Sequence, residues 1–278
     1  MSIKVSIVIP HHNNTNILKS CLDAIKKSSI DQRHYEIILV DNDSTDNSTT
    51  AIRNEYPLVK VIKLDNNYGF TKAVNVGVAH AKADLILILN NDCFVAADTI
   101  KKLCDFLHQK STMVATQPII RDMSGEIENI GYLIDTNIAK TIIVKNIKLI
   151  PPVTKPFQSQ YMYGLSATCL LIRKKTFIDI NMFDESFHSY LEDVDLFMRL
   201  ALAGYEYAPC PEALCVHMHM ATSATMNTYK EKRDLSNWIR IIRKNYPRVF
   251  LMQHLLPLSL ERMRNLSGLL KKSIFIKP

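Results

Sequence analysis

Short apolar segments and amphipathic segments alternate through the first 120 residues, and this alternation limits the possible folds more than any other feature of the sequence. The apolar segments are rich in β-branched residues; they are VSIVIP (5–10), EIILVD (36–41), VKVIKL (59–64), LILIL (85–89) and MVATQPI (113–119). Their apolar residues are continuous rather than alternating, which is typical of strands that are covered on both faces.

The segments between these strands repeat apolar residues at helical spacing. The predicted helical stripes are Ile17, Leu18, Cys21, Leu22 and Ile25, then Phe70, Ala73, Val74, Gly77 and Val78, then Ile100, Leu103, Cys104 and Leu107. Alternation of this kind predicts an α/β fold with a mostly parallel, doubly wound central sheet flanked by helices. In such sheets, ligands bind beyond the carboxyl ends of the strands.

Polar side chains follow each of the first four predicted strands. The four turns read HHNN (11–14), DNDSTDNS (41–48), DNNYGF (65–70) and NNDC (90–93). Any one of them is explained by turn formation and helix capping, because Asn, Asp and Gly are favoured at those positions. Four such turns along one sheet edge predict a ligand site there.

A second acidic segment, FHSYLEDVDLFMRL (187–200), predicts a helix from about Leu191 with three carboxylates in its first turn. Acidic residues interact favourably with a helix N-terminus. Asp195 and Arg199 are also spaced as an i, i+4 pair, which predicts a surface ion pair. These effects explain Asp195 and can explain Glu192, but they do not require Asp193.

The remaining chain is less regular. Residues 134–160 indicate an excursion or a flexible loop, residues 163–177 indicate a strand that leads into a helix, and residues 227–245 indicate a further helix. We therefore expect a catalytic domain over 1–224, with halves at 1–120 and 121–224. A helical C-terminal extension is expected over 225–278.

Charge is concentrated in that extension. The net charge is +7, but residues 225–278 alone contribute 12 Lys and Arg against 3 Asp and Glu. The main body is therefore slightly acidic, and a nucleic-acid partner is not expected. No apolar run reaches the roughly 18 residues of a membrane span. The N-terminus lacks a signal-peptide pattern, and the six cysteines form no CxxC pair, so we expect a cytoplasmic protein.

Several of these segments together resemble a known family. SIVIPHHN, ILVDNDSTDNS, NYGFTKAVNVG and ILNNDCF are similar, in order and spacing, to the nucleotide-sugar half of inverting family 2 glycosyltransferases, which have the GT-A fold. FDESFHSYLEDVDLFMRLALAGY and CVHMH resemble the acceptor half, and are closest to the bacterial rhamnosyltransferase-like branch. The resemblance runs from about Val5 to about Pro247.

The resemblance implies roles for individual residues. Pro10, His12 and Asn13 would line the nucleoside pocket, and Asp41 would bind the base with Asn42 beside it. Gly69, Asn75 and Asn91 would lie near the donor, with Lys72 as a diphosphate contact. Asp92 and His217 would hold a divalent metal, Mg²⁺ or Mn²⁺. Asp193 would be the catalytic base, with Glu192 binding the acceptor or capping the helix.

The chemistry implied is physically reasonable. A nucleoside diphosphate leaving group is strongly anionic, and a cation with oxygen ligands would neutralise it. A base on the opposite face of the sugar would take the proton of the acceptor hydroxyl, and burial raises the pKa of an Asp towards neutrality. The product would have inverted anomeric configuration.

Two departures from the family pattern affect these expectations. The metal-binding position reads Asn90-Asn91-Asp92, which leaves Asp92 as its only anionic group, so a lower metal affinity is expected here. Lys72 stands where a small residue is common; it is either an added phosphate contact or a solvated lysine. His217 and His219 share one face of a strand, but the resemblance supports only His217.

Three other functions are alternatives to the transferase. DNDST (41–45) fits the nucleophile loop of haloacid-dehalogenase-like phosphatases, although it follows the second strand where the first would be expected. A sugar nucleotidyltransferase would need a glycine-rich phosphate loop, which IPHHNN lacks. A non-catalytic nucleotide-sugar-binding homologue is the third alternative, and the acidic residues argue against it.

The tail has two interpretations. Leu256, Leu260, Met263, Leu270 and Ile274 follow helical spacing among Arg262, Arg264, Lys271 and Lys272. One interpretation is peripheral contact of residues 249–278 with an anionic membrane, which would suit a glycan or lipid-linked acceptor. The other is packing on the domain or in a dimer. The expected donor is a dTDP- or UDP-sugar, because Asp41 could pair with a uracil or thymine imide.

Overall fold

The computed structural model describes residues 4–151, 155–218 and 227–275. Its strands are β1 (Val5–His11), β2 (Tyr35–Asp41), β3 (Val59–Lys63), β4 (Leu85–Leu89), β5 (Cys93–Val95), β6 (Met113–Thr116), β7 (Pro118–Arg121), β8 (Ile127–Asn129), β9 (Tyr132–Asp135), β10 (Lys140–Ile143), β11 (Tyr161–Gly164), β12 (Cys169–Arg173), β13 (Glu206–Tyr207) and β14 (Cys210–His217). Its helices are α1 (Thr15–Lys26), α2 (Ser48–Glu55), α3 (Gly69–Ala79), α4 (Thr99–Gln109), α5 (Lys174–Asp179), α6 (Glu192–Leu202), α7 (Asn227–Asn245), α8 (Arg248–Gln253) and α9 (Leu255–Phe275).

A seven-stranded sheet in the order β13-β6-β12-β4-β1-β2-β3 forms the centre of the molecule. The strands β1, β2, β3 and β4 are parallel, as the continuous apolar runs predict. The exception is β12, which lies antiparallel between β4 and β6. The mostly parallel α/β sheet is therefore confirmed.

Both faces of this sheet are covered. Alternate strand residues, such as Ile7 and Ile9, pack with α1, α2 and α4 on one face. Their neighbours Val8, Ile38 and Ile88 pack with α3 and α6 on the other. Two-sided burial explains why the strand sequences are apolar throughout rather than alternating.

The segment expected to be an excursion or a flexible loop contains regular structure. Strands β9, β10 and β11 form a three-stranded antiparallel sheet in the order β10-β9-β11. Residues such as Ile134 and Met162 bury this sheet against the core. Part of the expected excursion therefore forms strands, whereas residues 144–151 and 155–160 contain no strand.

The fifth predicted strand is divided in two at Gln117. Its first half, β6, joins the central sheet, and its second half, β7, joins a separate sheet in the order β5-β14-β7-β8. Pro118 has no N–H to donate to a continuing ladder, which favours a break at this point. Gln117 is fully buried, and its Oε1 accepts a hydrogen bond from the Ser166 N–H at 2.6 Å.

The C-terminal helices pack against the main body. Trp238 and Ile241 of α7 and Leu258 of α9 belong to the core on the α3 side of the central sheet. Within the described ranges, no helix combines the length and the apolar character needed to cross a bilayer. The predicted helical extension is present, and part of it is continuous with the main core.

Candidate active site

A cleft of about 320 Å³ lies at the carboxyl ends of β1, β2 and β4, where the sequence predicts a ligand site. The strand ends contribute Pro10 to His12, Asn42 and Asn90 to Asp92. The remaining walls come from other parts of the chain; they are Asn67, Gly69, Phe70, His188, Ser189, Tyr190 and Tyr229. Parallel strands thus bring residues that are distant in sequence to one sheet edge.

Five of the nine predicted donor-binding residues line this cleft; they are Pro10, His12, Asn42, Gly69 and Asn91. The amide of Asn42 donates to Asn67 Oδ1 at 2.9 Å and to the Gly69 carbonyl at 3.2 Å, which fixes the entry to α3. The Asn91 Nδ2 lies 2.8 Å from His11 Nδ1. Burial lowers the pKa of His11 to about 4, so His11 is neutral and can accept this bond.

Asp41 and Asn13 bind the loop after β2 rather than facing the cleft. Asp41 is fully buried, its Oδ1 accepts from the Ser44 N–H at 2.9 Å, and its Oδ2 accepts from the Thr49 hydroxyl. Asn13 Oδ1 accepts from the Thr45 N–H at 2.8 Å. Each oxygen of Asp41 thus has one donor in this loop, and the contact between Asp41 and a nucleobase stays a prediction.

Lys72 and Asn75, which were expected near the donor, also face elsewhere. Lys72 Nζ lies 3.1 Å from Glu185 Oε2 in a partly exposed ion pair. Asn75 is buried; its Nδ2 donates to the Phe183 carbonyl at 2.9 Å, and its Oδ1 accepts from the Phe183 N–H at 3.2 Å. Neither residue lines the cleft. Asn75 fixes the Phe183 backbone to α3, which is a structural role.

The two predicted metal ligands lie together. Asp92 precedes β5 and His217 ends β14, and pairing of these strands places Asp92 Oδ1 3.4 Å from His217 Nε2. Glu128 of β8 holds the other ring nitrogen, with 3.0 Å between Oε1 and Nδ1. Burial opposes protonation of His217, but its bonds to the two carboxylates outweigh burial and raise the pKa of His217 to about 10.

The chemistry of this cluster fits a hard divalent cation. Asp92, Cys93 and His217 each offer a ligand atom within 4.8 Å of the others. Burial raises the pKa of Cys93 well above its usual value, so its sulfur stays a neutral thiol and a poor ligand. A carboxylate and an imidazole remain, and an imidazole held by a second carboxylate is a common arrangement at metal sites.

Asp195 is structural, as the i, i+4 spacing indicates, but its ion pair is buried rather than on the surface. The side chain is fully buried; its Oδ2 accepts from Arg199 Nε at 2.8 Å and from Lys244 Nζ at 3.1 Å. Its Oδ1 accepts from Asn245 Nδ2 at 2.9 Å. Asp195 therefore joins α6 to α7.

Asp193 binds the turn between β11 and β12. Its Oδ2 accepts from the Ala167 N–H at 3.3 Å, and the next carbonyl, of Thr168, accepts from the Asn90 N–H at 3.0 Å. A short chain of contacts thus links Asp193 to the strand end that carries Asp92. Burial raises the pKa of Asp193 to about 6, against the opposing effect of backbone N–H donors from Ala167 and Val194.

Glu192 lies deeper than Asp193. Only 8% of its surface is exposed, and its Oε2 has no hydrogen-bond partner among the described residues. Burial, and then the charge of Asp193, raise the pKa of Glu192 well above its usual value. Two adjacent carboxyl groups in such a site cannot both be charged easily, so Glu192 is the one that stays protonated.

Comparison with known proteins decides between the candidate functions. The sequence model of the family described as "Glycosyl transferase family 2" matches residues 6–180, which is more than half of the chain. The chain belongs to glycosyltransferase family 2. It is accordingly a nucleotide-sugar glycosyltransferase, as the resemblance implies.

Rhamnosyltransferases are among the relatives of this glycosyltransferase. The N-acetylglucosaminyl-diphospho-decaprenol L-rhamnosyltransferase of Mycobacterium tuberculosis is 28% identical over 212 residues, or 69% of each chain. Rhamnosyltransferase WbbL of Escherichia coli is 26% identical over 226 residues, which cover 77% of this chain and 83% of WbbL. The glycosyltransferase is therefore rhamnosyltransferase-like.

Solved structures give the same fold. The mannosyltransferase PcManGT of Pyrobaculum calidifontis, solved with GDP-Man and Mn²⁺, superposes with a TM-score of 0.64 at 15% identity. The superposition covers 99% of this chain and 76% of PcManGT. The expected GT-A fold is confirmed by this likeness.

The dehalogenase-like alternative receives no support. Its nucleophile would be Asp41, but that carboxylate is fully buried and accepts hydrogen bonds from Ser44 and Thr49. A nucleophilic carboxylate must reach the phosphorus atom of its substrate. Within the DNDST loop, Asn42 lines the glycosyltransferase cleft and Asp41 binds Ser44 and Thr49.

Several residues around this glycosyltransferase site were not predicted from the sequence. Glu128 supports His217 from 89 residues away. Tyr229 of α7 lines the cleft, and its hydroxyl lies 3.4 Å from His188 Nδ1. Neither residue stands in a motif that the resemblance covers, and only the tertiary structure brings them to the site.

Proposed function

We propose that this glycosyltransferase moves a sugar from a nucleoside diphosphate to an acceptor hydroxyl, with inversion and with Asp193 as the general base. One observation carries the proposal: Asp193 contacts the Ala167–Thr168 turn, which in turn contacts Asn90 at the cleft. A base in this position lies next to the strand end where the donor diphosphate is expected. Its raised pKa suits proton transfer near neutral pH.

The proposed donor site is the cleft between the strand ends and the start of α3. Pro10, His12, Asn42, Gly69 and Asn91 are proposed as its donor contacts, because they line that cleft. A dTDP- or UDP-sugar bound through Asp41 stays a prediction, because each of its carboxylate oxygens has one loop donor and can accept a further hydrogen bond. Two rhamnosyltransferases among the relatives support a deoxyhexose as the transferred sugar.

We propose Asp92 and His217 as ligands of a divalent metal, with Glu128 orienting His217. The short distances between these three side chains support the proposal, as does Mn²⁺ in the PcManGT structure. When bound, Mn²⁺ or Mg²⁺ would neutralise the charge that develops on the leaving diphosphate. With a metal bound, His217 Nε2 would be deprotonated, and Glu128 would accept a hydrogen bond from His217 Nδ1–H.

The role proposed for Asp193 is to receive a proton at a carboxylate oxygen. The two backbone donors, Ala167 N–H and Val194 N–H, hold the carboxylate in one orientation. Glu192, which is protonated beside it, adds no second negative charge to the site. The acceptor oxygen would lose its proton to Asp193 as it forms the new bond to the anomeric carbon, and the bond to the diphosphate would break on the opposite face.

We propose a lipid-linked glycan as the acceptor and contact with a membrane through residues 249–278. The relative that acts on a diphospho-decaprenol acceptor supports the first part. The second is supported by exposed apolar side chains of α8 and α9, among them Met252, Leu256 and Met263. Such contact would place the enzyme peripherally on the inner face of the membrane.

The test of the base is Asp193→Asn, which keeps the size of the side chain. Calorimetry should show nucleotide affinity within about threefold of the parent, while sugar transfer falls by roughly 10²–10⁴-fold. NMR of the product made by the parent enzyme should show an inverted anomeric configuration. Asp195→Asn is the comparison variant, and it should lose stability rather than turnover per folded molecule.

Two results would overturn this proposal. One is near-parental transfer by a folded, donor-saturated Asp193→Asn enzyme. The other is a product with retained configuration, because a single displacement opposite the leaving group must invert the anomeric carbon.

A further inference from the structure

The segment from Phe187 to Leu191 has an unusual backbone. His188, Tyr190 and Leu191 have φ angles of 62°, 69° and 64°. Non-glycine residues rarely adopt this left-handed region, and they keep it only where surrounding contacts impose it. The same segment lines the donor cleft and leads directly into Glu192 and Asp193.

One side of the strained segment is held by the start of α3. The His188 carbonyl accepts from the Thr71 N–H at 3.2 Å, and the Phe70 N–H lies 3.4 Å from Ser189 Oγ. Gly69 has a φ of 83°, and a Cβ there would lie 2.4 Å from the His188 carbonyl oxygen. The segment therefore packs directly on the backbone of the cleft wall.

The other side is held by Asn237, a fully buried residue of α7. Its Nδ2 lies within hydrogen-bond distance of three carbonyl oxygens: Phe187 at 3.2 Å, Ser189 at 2.9 Å and Tyr190 at 2.7 Å. Its Oδ1 accepts from Arg240 Nη1 at 2.9 Å. If the Asn237 amide were flipped, its Oδ1 would face the three carbonyl oxygens, and no hydrogen bond could form. These contacts therefore fix the orientation of the amide.

We propose that Asn237 is a positioning residue, which holds the Phe187–Leu191 segment so that the donor cleft and the Asp193 carboxylate keep a productive relative position. The inference rests on the proposed role of Asp193. It also makes α7 part of the catalytic unit, although α7 lies outside the family match, which ends at residue 180.

Asn237 is proposed for this role because three neighbouring carbonyl groups of the segment need hydrogen-bond donors. Buried carbonyl oxygens without partners are unfavourable. Asn237 supplies donors from a single rigid helix, and it does so at a segment whose backbone conformation is intrinsically unfavourable. Without those donors the segment would relax, which would move His188 at the cleft and the first turn of α6 together.

The decisive variant is Asn237→Asp, which keeps the shape but replaces the two donor hydrogens with an acceptor oxygen. We expect kcat for transfer to fall about 100-fold, the loss associated with misplacing a catalytic group by about 1 Å. The KM for the donor should rise by a smaller factor than kcat falls, because only part of the cleft lining belongs to the 187–191 segment. Hydrogen exchange, read by mass spectrometry, should accelerate at the 187–191 amides. Asn54→Asp, the same change on the exposed face of α2, should alter none of these quantities.

A second variant tests whether the effects of Asn237→Asp come from the added charge or from misfolding. Asn237→Ala removes the donors without adding charge, and it should show the same local acceleration of exchange and the same kcat loss in smaller measure. If either folded variant keeps parental kcat, or if exchange rises evenly along the chain, the positioning role is wrong.

The proposed function can fail separately from this inference. Asp193→Asn should leave exchange at residues 187–191 unchanged, because Asn237 is intact in that variant. If Asp193→Asn proves active, Asp193 is not the base. Accelerated local exchange and lower kcat in Asn237→Asp would then still show that the segment positions catalytic groups.

Discussion

At the scale of single residues, the carboxyl groups of α6 show how position decides role. Asp195 faces the basic residues Arg199 and Lys244 and is fully paired. Asp193, two residues earlier, has only backbone donors and a raised pKa. The same side chain therefore contributes stability at one position and proton affinity at the other.

The pH dependence of transfer should report on Asp193. Its pKa is raised to about 6 in the folded protein, and only the charged form can accept a proton. We expect kcat to fall about tenfold per pH unit below about pH 6 and to level off above pH 7. A kcat profile measured at saturating donor would show this limb, and it should be absent from the residual activity of Asp193→Asn.

The contribution of Asp193 to the free energy of unfolding should change with pH in the direction opposite to kcat. The folded state binds the Asp193 proton more tightly than the unfolded state, so this group lowers stability as pH rises from about 4 to about 6. Asp193→Asn should therefore raise the free energy of unfolding at pH 7, by at most about 3 kcal/mol. Urea unfolding at pH 7 is the measurement. A substantial loss of stability would contradict this account of the pKa.

The metal site gives a third prediction at this scale. Glu128→Gln leaves both proposed ligands in place but weakens the group that orients His217. We expect Mn²⁺ affinity, measured by calorimetry with bound nucleotide, to fall 10–100-fold. Asp92→Ala should cost more, because it removes a ligand.

Glu126→Gln provides the matched control, since Glu126 is exposed two residues earlier on the same chain segment. It should bind Mn²⁺ like the parent. Equal affinities for all three variants would place the metal elsewhere, and undiminished transfer in excess chelator would remove the metal from the mechanism.

At the scale of elements, the sequence predicts best where the pattern is local. LILIL was expected as a strand over 85–89, and β4 has those bounds. The helix expected over 227–245 is α7. Both follow from composition and spacing within one window. The division of MVATQPI between two sheets was missed, although Pro118 marks the break.

Prediction of the site residues from the sequence is limited in the same way to local patterns. The partners of Asp41 are Ser44 and Thr49, three and eight residues away, so a turn in which Asp binds its own loop could have been expected from DNDS. Glu128 and Asn237 could not have been expected. Their contacts span 89 residues to His217 and about 50 residues to Phe187–Tyr190, and no local pattern encodes such pairs.

The last two helices carry a prediction about the membrane. One side of α9 is buried through Leu258, Glu261 and Leu269. The opposite side exposes apolar residues that continue those of α8; they are Val249, Met252, Leu255, Leu256, Leu260, Met263, Leu266 and Leu270. Exposed basic residues flank them at Arg248, Arg264 and Lys271. An apolar stripe with basic neighbours suits an anionic bilayer surface.

We expect the enzyme to float with vesicles that contain about one-third anionic lipid, and to bind less as salt rises. Met252→Asp with Leu256→Asp should abolish flotation without unfolding, because both residues are about 70% exposed. Leu58→Asp, at a similarly exposed leucine before β3, is the control and should float normally. Salt-independent flotation, or a dimer that the double variant dissociates, would favour the packing interpretation.

The side chain of Ile274, which was assigned to this stripe, lies outside the described residues.

At the scale of the whole molecule, the expected boundary between a 1–224 catalytic domain and a 225–278 extension separates α7 from the site residues that it contacts. Tyr229 lines the donor cleft, Asn237 binds the segment before α6, and Asn245 binds Asp195. Trp238 belongs to the main core. We therefore propose that the functional boundary follows α7, with only α8 and α9 as the appended membrane-facing part.

The antiparallel strand β12 affects the order in which the central sheet can form during synthesis. It separates β4 from β6, and the β6 residues Ala115 and Thr116 pair with β12 rather than with β4. While the ribosome has released only the first 120 residues, β6 has no place to dock and the apolar edge of β4 stays open. The strands β4 and β6 can be joined only after Cys169–Arg173 leaves the exit tunnel. Until then the nascent chain exposes a strand edge that resembles an aggregation site, and this is the period in which a chaperone would matter most.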